Sequence, residues 1–81
     1  MSTLQHKTVL ASNVYIKDNR LYVQLTDERE ISVPLSWFPR LLHATDEQRK
    51  DWELIGKGVG IHWEAIDEDI SVPGLLGLPD H

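Results

Sequence analysis

His62 stands shortly before three consecutive carboxylates, Asp67, Glu68 and Asp69. A histidine with carboxylates can bind a divalent transition metal, and a His–Asp pair can move a proton. A metal site, however, normally needs three or four converging ligands. His6, His43 and His81 are poor sources for them, two lying near the termini. The set reads better as a strand histidine on an outer face beside a solvated acidic turn, so no metal site is expected. Arg40, Arg49 and Lys50 are a second group, able in principle to grip phosphate. Asp46 sits three and four residues before Arg49 and Lys50, the spacings that pair charges along a helix, so a solvated helix face explains these cations more simply.

Other catalytic patterns are missing. Gly56-Lys57-Gly58-Val59-Gly60 has neither the spacing nor the downstream Ser or Thr of a phosphate-binding loop. Its glycines are more simply used to turn the chain from helix to strand. The chain has no cysteine, which removes a thiol nucleophile, a disulfide framework and a Cys-based zinc site together. Ser12, Ser32, Ser36 and Ser71 have no recognisable base nearby in sequence. The expectation is a protein that is not an enzyme and needs no cofactor.

Binding is better represented. Three tryptophans in 81 residues, Trp37, Trp52 and Trp63, are many for so short a chain. Trp52 and Trp63 are expected to build a core otherwise short of large apolar residues. Trp37 precedes the core residue Phe38 and falls on a rim, where a tryptophan can anchor a partner. Three like charges at Asp67-Glu68-Asp69 repel one another and do little for a fold beyond favouring a following helix N-terminus. Solvation explains them most cheaply; steering of a basic partner is the functional alternative. The candidate interaction surface is therefore Trp37, Asp67, Glu68, Asp69 and Leu76. The net charge of −5, with only eight Lys and Arg and no basic stripe, supports a basic partner and argues against direct contact with nucleic acid.

The elements that must position these residues follow from local pattern. Eighty-one residues make one domain, 1–81, with an ordered core expected at about 9–76. A chain of this size buries only about 60% of its unfolded surface, so its stability margin is thin. Val9 to Ile16 reads as a strand interrupted at Asn13, and Asp18-Asn19 as a tight hairpin turn. Leu21-Tyr22-Val23-Gln24-Leu25-Thr26 alternates cleanly, with Leu21, Val23 and Leu25 inward. Glu30 to Val33 alternates again, with Ile31 and Val33 inward, and Pro34 ends it. This is an antiparallel meander with one wet face.

A helix is expected next, capped by Ser36, with Pro39 in its first turn and Leu35, Phe38, Leu41 and Leu42 on one stripe. Thr45-Asp46-Glu47-Gln48 matches a capping box and opens a second helix, expected to carry Trp52 and Ile55 on one face and to stop at Gly56 and Gly58. Gly60 to Trp63 is a short fourth strand returning to the sheet, with Ile61 and Trp63 on one face and His62 on the other. Asp67-Glu68-Asp69 is expected to be a turn. Ser71 caps a last helical turn around Leu75 and Leu76. The fold class is α+β: a three-stranded antiparallel meander, one or two helices packed on one face, a short fourth strand and a C-terminal helical turn.

These blocks carry a resemblance. Ile31-Ser32-Val33-Pro34-Leu35-Ser36-Trp37-Phe38-Pro39-Arg40-Leu41, Trp52-Glu53-Leu54-Ile55-Gly56, Gly60-Ile61-His62-Trp63, Asp67-Glu68-Asp69-Ile70-Ser71-Val72 and Gly74-Leu75-Leu76 resemble, in order, a small bacterial family catalogued as domain of unknown function 2442. The likeness covers roughly residues 9 to 76. Two positions depart from it: Glu64 stands where the family usually has proline, and Pro73 where it usually has glutamate. The resemblance brings no catalytic residue. It implies that some longer relatives join the domain to a helix-turn-helix. It also implies that some short members are encoded beside a second small protein, as in a toxin–antitoxin pair.

The leading expectation is thus a protein-interaction module, an antitoxin-like partner of a small basic protein encoded nearby. The alternative is a nucleic-acid-associated regulator acting through oligomerisation, which keeps a homo-oligomer in view; an enzyme of unknown class comes third. No charged leader precedes an apolar run, and no run approaches the ~20 residues that span a bilayer, so no membrane is expected and the cytoplasm is the expected location.

Overall fold

In the computed structural model, which describes residues 9–77, two strand-rich halves share one apolar core. Strands β1 (Ala11–Lys17), β2 (Arg20–Leu25) and β3 (Glu30–Pro34) form the antiparallel meander that the alternation predicts, in the order β1-β2-β3. Leu21, Val23, Leu25 and Val33 are buried and Ile31 is half-buried, while Gln24 is exposed. The register shifts between Ala11 and Asn13, so the strand does carry its irregularity there. Asp18 and Asn19 take φ values of 51° and 62°, the left-handed conformation that a two-residue hairpin demands. On the wet face Tyr15 stacks on Tyr22 at 4.8 Å, directly across the ladder.

The expected first helix is divided. Leu35–Trp37 forms a 3₁₀ turn, and α1 is the short piece Pro39–Leu42. Ser36 does not cap it; Phe38 occupies the cap position, at φ −129° and ψ 83°, with no side-chain cap. Proline is the reason: its ring disfavours helical geometry at the residue before it, so Phe38 leaves the helix and Pro39 restarts it. Leu35 and Leu41 still reach the core.

The second helix, α2 (Asp46–Lys50), opens as expected. Thr45 Oγ1 accepts from Gln48 N at 3.1 Å, and Thr45 N donates to Gln48 Oε1 at 2.9 Å. It ends five residues on, and Trp52–Ile55 is not its continuation but strand β4. A spacing of three between Trp52 and Ile55 fits a helix, but Trp52 and Leu54 are the inward pair and Glu53 and Ile55 are exposed, a period of two. Gly56 and Gly58 accordingly join strand to strand, with Lys57 between them at φ 64°.

Strand β5 (Gly60–Trp63) is paired as expected with Ile61 and Trp63 inward, but it does not return to the meander. It is the middle of a second antiparallel sheet, β4-β5-β6. Strand β6 (Glu68–Ser71) takes up most of the predicted acidic turn; only Asp67 turns, in the left-handed conformation. Acidic residues are tolerated in this strand because Asp69 faces His62 across the ladder and Ile70 alone supplies the buried side chain. Helix α3 (Val72–Leu75) follows, with Ser71 Oγ accepting from Gly74 N at 3.1 Å. The fold class stands as α+β, its first sheet a meander, with a second three-stranded sheet in place of a lone fourth strand.

Candidate functional site

Alternation along β5 aims His62 away from the core, where its neighbours across the ladders are Glu53 on β4 and Asp69 on β6. Its Nδ1 lies 2.5 Å from Asp69 Oδ1 and its Nε2 lies 2.8 Å from Glu64 Oε1. The hydrogen bond to Glu64, then that to Asp69, raises the imidazole from its usual 6.5 to about 9, against a smaller opposing effect of burial. His62 is therefore an imidazolium at neutral pH, donating from both nitrogens. Glu53, His62 and Glu64 also bring ligand atoms within 4.8 Å of one another. An ion entering there would have to displace the proton, since both imidazole nitrogens are already used. Sequence reasoning placed His62 beside the acidic run but missed Glu53 and Glu64. Glu64 was visible as the residue two beyond His62, hence on the same side of an extended chain. Glu53 was hidden by the mistaken helix.

A different geometry surrounds Trp37. The 3₁₀ turn leaves Trp37 62% exposed, whereas Trp63 is fully buried with its indole N–H donating to Arg49 O at 3.1 Å, and Trp52 is half-buried. Trp37, Phe38 and Leu75 line a groove of about 300 Å³ with Asp69, Ile70 and Ser71 of the edge strand β6. Of the predicted surface residues, the structure thus joins Trp37 to Asp69. Asp67 is exposed next to them, and its carbonyl accepts a hydrogen bond from Arg40 Nη1, which ties α1 to the start of β6. Glu68 is half-buried opposite Trp63. Leu75 and Leu76 are both half-buried and packed against the core, and of the two it is Leu75 that lines the groove beside Trp37. Arg49 is structural: Nε and Nη2 donate to the carbonyls of Leu41 and Leu42, closing the end of α1, and Nη1 lies 3.9 Å from Asp46.

The family model described as "Protein of unknown function (DUF2442)" matches residues 11–78. The chain belongs to this family. In three dimensions the chain is similar to a crystal structure of a protein of unknown function from Rhodospirillum rubrum, at 31% identity and a TM-score of 0.75, covering 89% of this chain and 90% of that one. An uncharacterised protein from Chromobacterium violaceum, solved by NMR, is similar at 26% identity and a TM-score of 0.71, over 84% of this chain and 64% of that one. No curated protein matches the chain. Glu64, where the DUF2442 resemblance expects proline, is the residue that supplies the second carboxylate to His62. No helix among the described residues is long and apolar enough to cross a membrane.

Proposed function

We propose that this DUF2442 domain is a cytoplasmic protein-interaction module, an antitoxin-like partner of a small basic protein encoded nearby, and that it works by binding and not by catalysis. The observation that carries the reading is an exposed Trp37 forming one wall of a groove whose other wall includes Asp69. A tryptophan outside the core, next to apolar side chains and carboxylates, has the make-up of an interface anchor with a charged rim. The chain's net charge of −5 supports a basic partner.

The test is association kinetics between this chain and the purified product of the neighbouring gene, measured against ionic strength. Neutralising Asp67→Asn with Asp69→Asn is expected to slow association and flatten its salt dependence, because rim charges act mainly on encounter. Asparagine also tolerates the left-handed backbone at position 67. Trp37→Ala is expected to speed dissociation. No measurable complex, or a complex indifferent to all three changes, overturns the reading; a salt-sensitive shift with duplex DNA instead supports the nucleic-acid alternative.

A further inference from the structure

The groove beside Trp37 is specific enough to say what it receives. Small-molecule pockets run from about 300 to 1,000 Å³, are mostly apolar with a few placed polar groups, and enclose most of their ligand. At about 300 Å³ this groove is at the lower limit, and Trp37, Phe38 and Leu75 line it together with the β6 segment Asp69-Ile70-Ser71 and Gly74. Its size and lining suit a single apolar side chain. The surroundings are acidic. Glu64, Asp67, Glu68 and Asp69 follow one another along the border of the second sheet, and among the described residues Arg40, at a backbone carbonyl, and His62 are cations that touch them. His62 holds one oxygen of Asp69, fixing that carboxylate on the strand that lines the groove. An exposed tryptophan attracts a cation through its ring, and because His62 already pairs with Asp69, the added attraction comes from the acidic residues around the groove acting together.

We propose that the groove takes one aliphatic side chain of a basic partner segment, with a neighbouring lysine or arginine lying between the Trp37 ring and Asp69. This rests on the interaction reading and names what the partner presents. A second copy of the chain is the weaker occupant, because it would bring the same acidic border and a net charge of −5 against itself.

The experiment is an NMR titration of ¹⁵N-labelled protein with the end-blocked pentapeptide Lys-Arg-Leu-Arg-Lys. The two controls are Lys-Arg-Ser-Arg-Lys and Glu-Asp-Leu-Asp-Glu. The first peptide is expected to shift the Trp37 indole N–H and the amides from Asp69 to Leu75, saturating with a Kd of about 1 mM or tighter. Replacing its leucine by serine should weaken binding about tenfold, since the buried apolar contact is lost. The acidic control should not saturate. Trp37→Ala, an exposed position, should abolish the shifts with Tm unchanged, and Asp69→Asn should weaken binding about two- to fivefold. Equal binding of the serine peptide, shifts centred away from the groove, or no saturation by about 10 mM (an affinity too weak for a specific anchor) overturns the proposal. The neighbouring gene product separates the two levels. If it binds wild type and Trp37→Ala alike, the groove proposal fails and the module survives. If the peptide titration succeeds while that protein does not bind, the antitoxin-like pairing fails and the groove proposal stands.

Discussion

At the scale of single residues, the protonation of His62 sets the chemistry of the second sheet's outer face. Its pKa is raised in the folded chain to about 9 from an ordinary 6.5, so the folded state binds the proton more tightly than the unfolded one. The stability this contributes is fully present below about pH 6.5 and is lost as pH rises through about 9. Thermal melts from pH 6 to 10 should therefore show wild type losing its advantage over His62→Gln across that interval; parallel curves would refute it. The same proton bears on metals. At pH 7, calorimetric titration of tag-free protein with zinc is expected to show no tight site, because an ion between Glu53 and Glu64 must displace a proton from the His62 nitrogen to gain its third ligand. A stoichiometric zinc complex abolished by His62→Ala would reverse this.

At the scale of elements, what was legible was whatever a short stretch decides alone. The alternation of Leu21, Val23 and Leu25 specifies a half-buried strand, Asp18-Asn19 its turn, and Thr45 with Gln48 a helix start. Each rests on contacts within a few residues. The errors fall where pairing decides. Trp52 to Ile55 and Glu68 to Ser71 are strands because β5 lies between them, which no local pattern announced. The candidate site divides in the same way. An outward His62 and an exposed Trp37 followed from position in the chain, but the groove joining Trp37 to Asp69 and Leu75 is tertiary. The turn after β4 shows how closely the two halves meet. A Cβ on Gly58 would lie 2.3 Å from the backbone oxygen of Ala11 on β1, at a φ of +116° that side chains rarely adopt. Gly58→Ala is expected to destabilise the chain by about 1–3 kcal/mol in urea unfolding, without binding effects beyond those of stability. Thr45→Ala removes only a cap on an exposed helix and should cost about 1 kcal/mol. Finding the Gly58 variant as stable as wild type would mean that this close approach is not made.

For the whole molecule, the decisive feature is that the sheets are not separate modules. One cluster of buried side chains takes Val14, Leu21, Val23, Leu25 and Val33 from the first sheet and Ile61, Trp63 and Ile70 from the second, bridged by Leu35, Leu41 and Val72. Splitting that cluster would expose apolar surface on both halves of a chain this short, where stability is of the order of 5–15 kcal/mol or less. The Trp63 indole, donating to Arg49 O, and Arg49, closing α1, extend that dependence through hydrogen bonds. Unfolding should therefore be a single transition. Ile61→Ala, at a fully buried position in β5, is expected to cost about 2–5 kcal/mol. Its effect should appear on both sheets: under conditions where exchange follows global opening, the amides of Val23 in β2 and of His62 in β5 should lose protection by the same factor. Hydrogen exchange followed by NMR on wild type and Ile61→Ala measures this directly. Protection lost in β4-β5-β6 but kept in β1-β2-β3 would mean that the meander folds by itself. The groove beside Trp37 would then join two units of unequal stability, since Trp37 and Phe38 follow the meander whereas Asp69 and Ile70 belong to the second sheet and Leu75 follows it. Equal loss would tie the groove's shape to the integrity of the common core, so that any core variant which binds less well must first be corrected for the fraction folded.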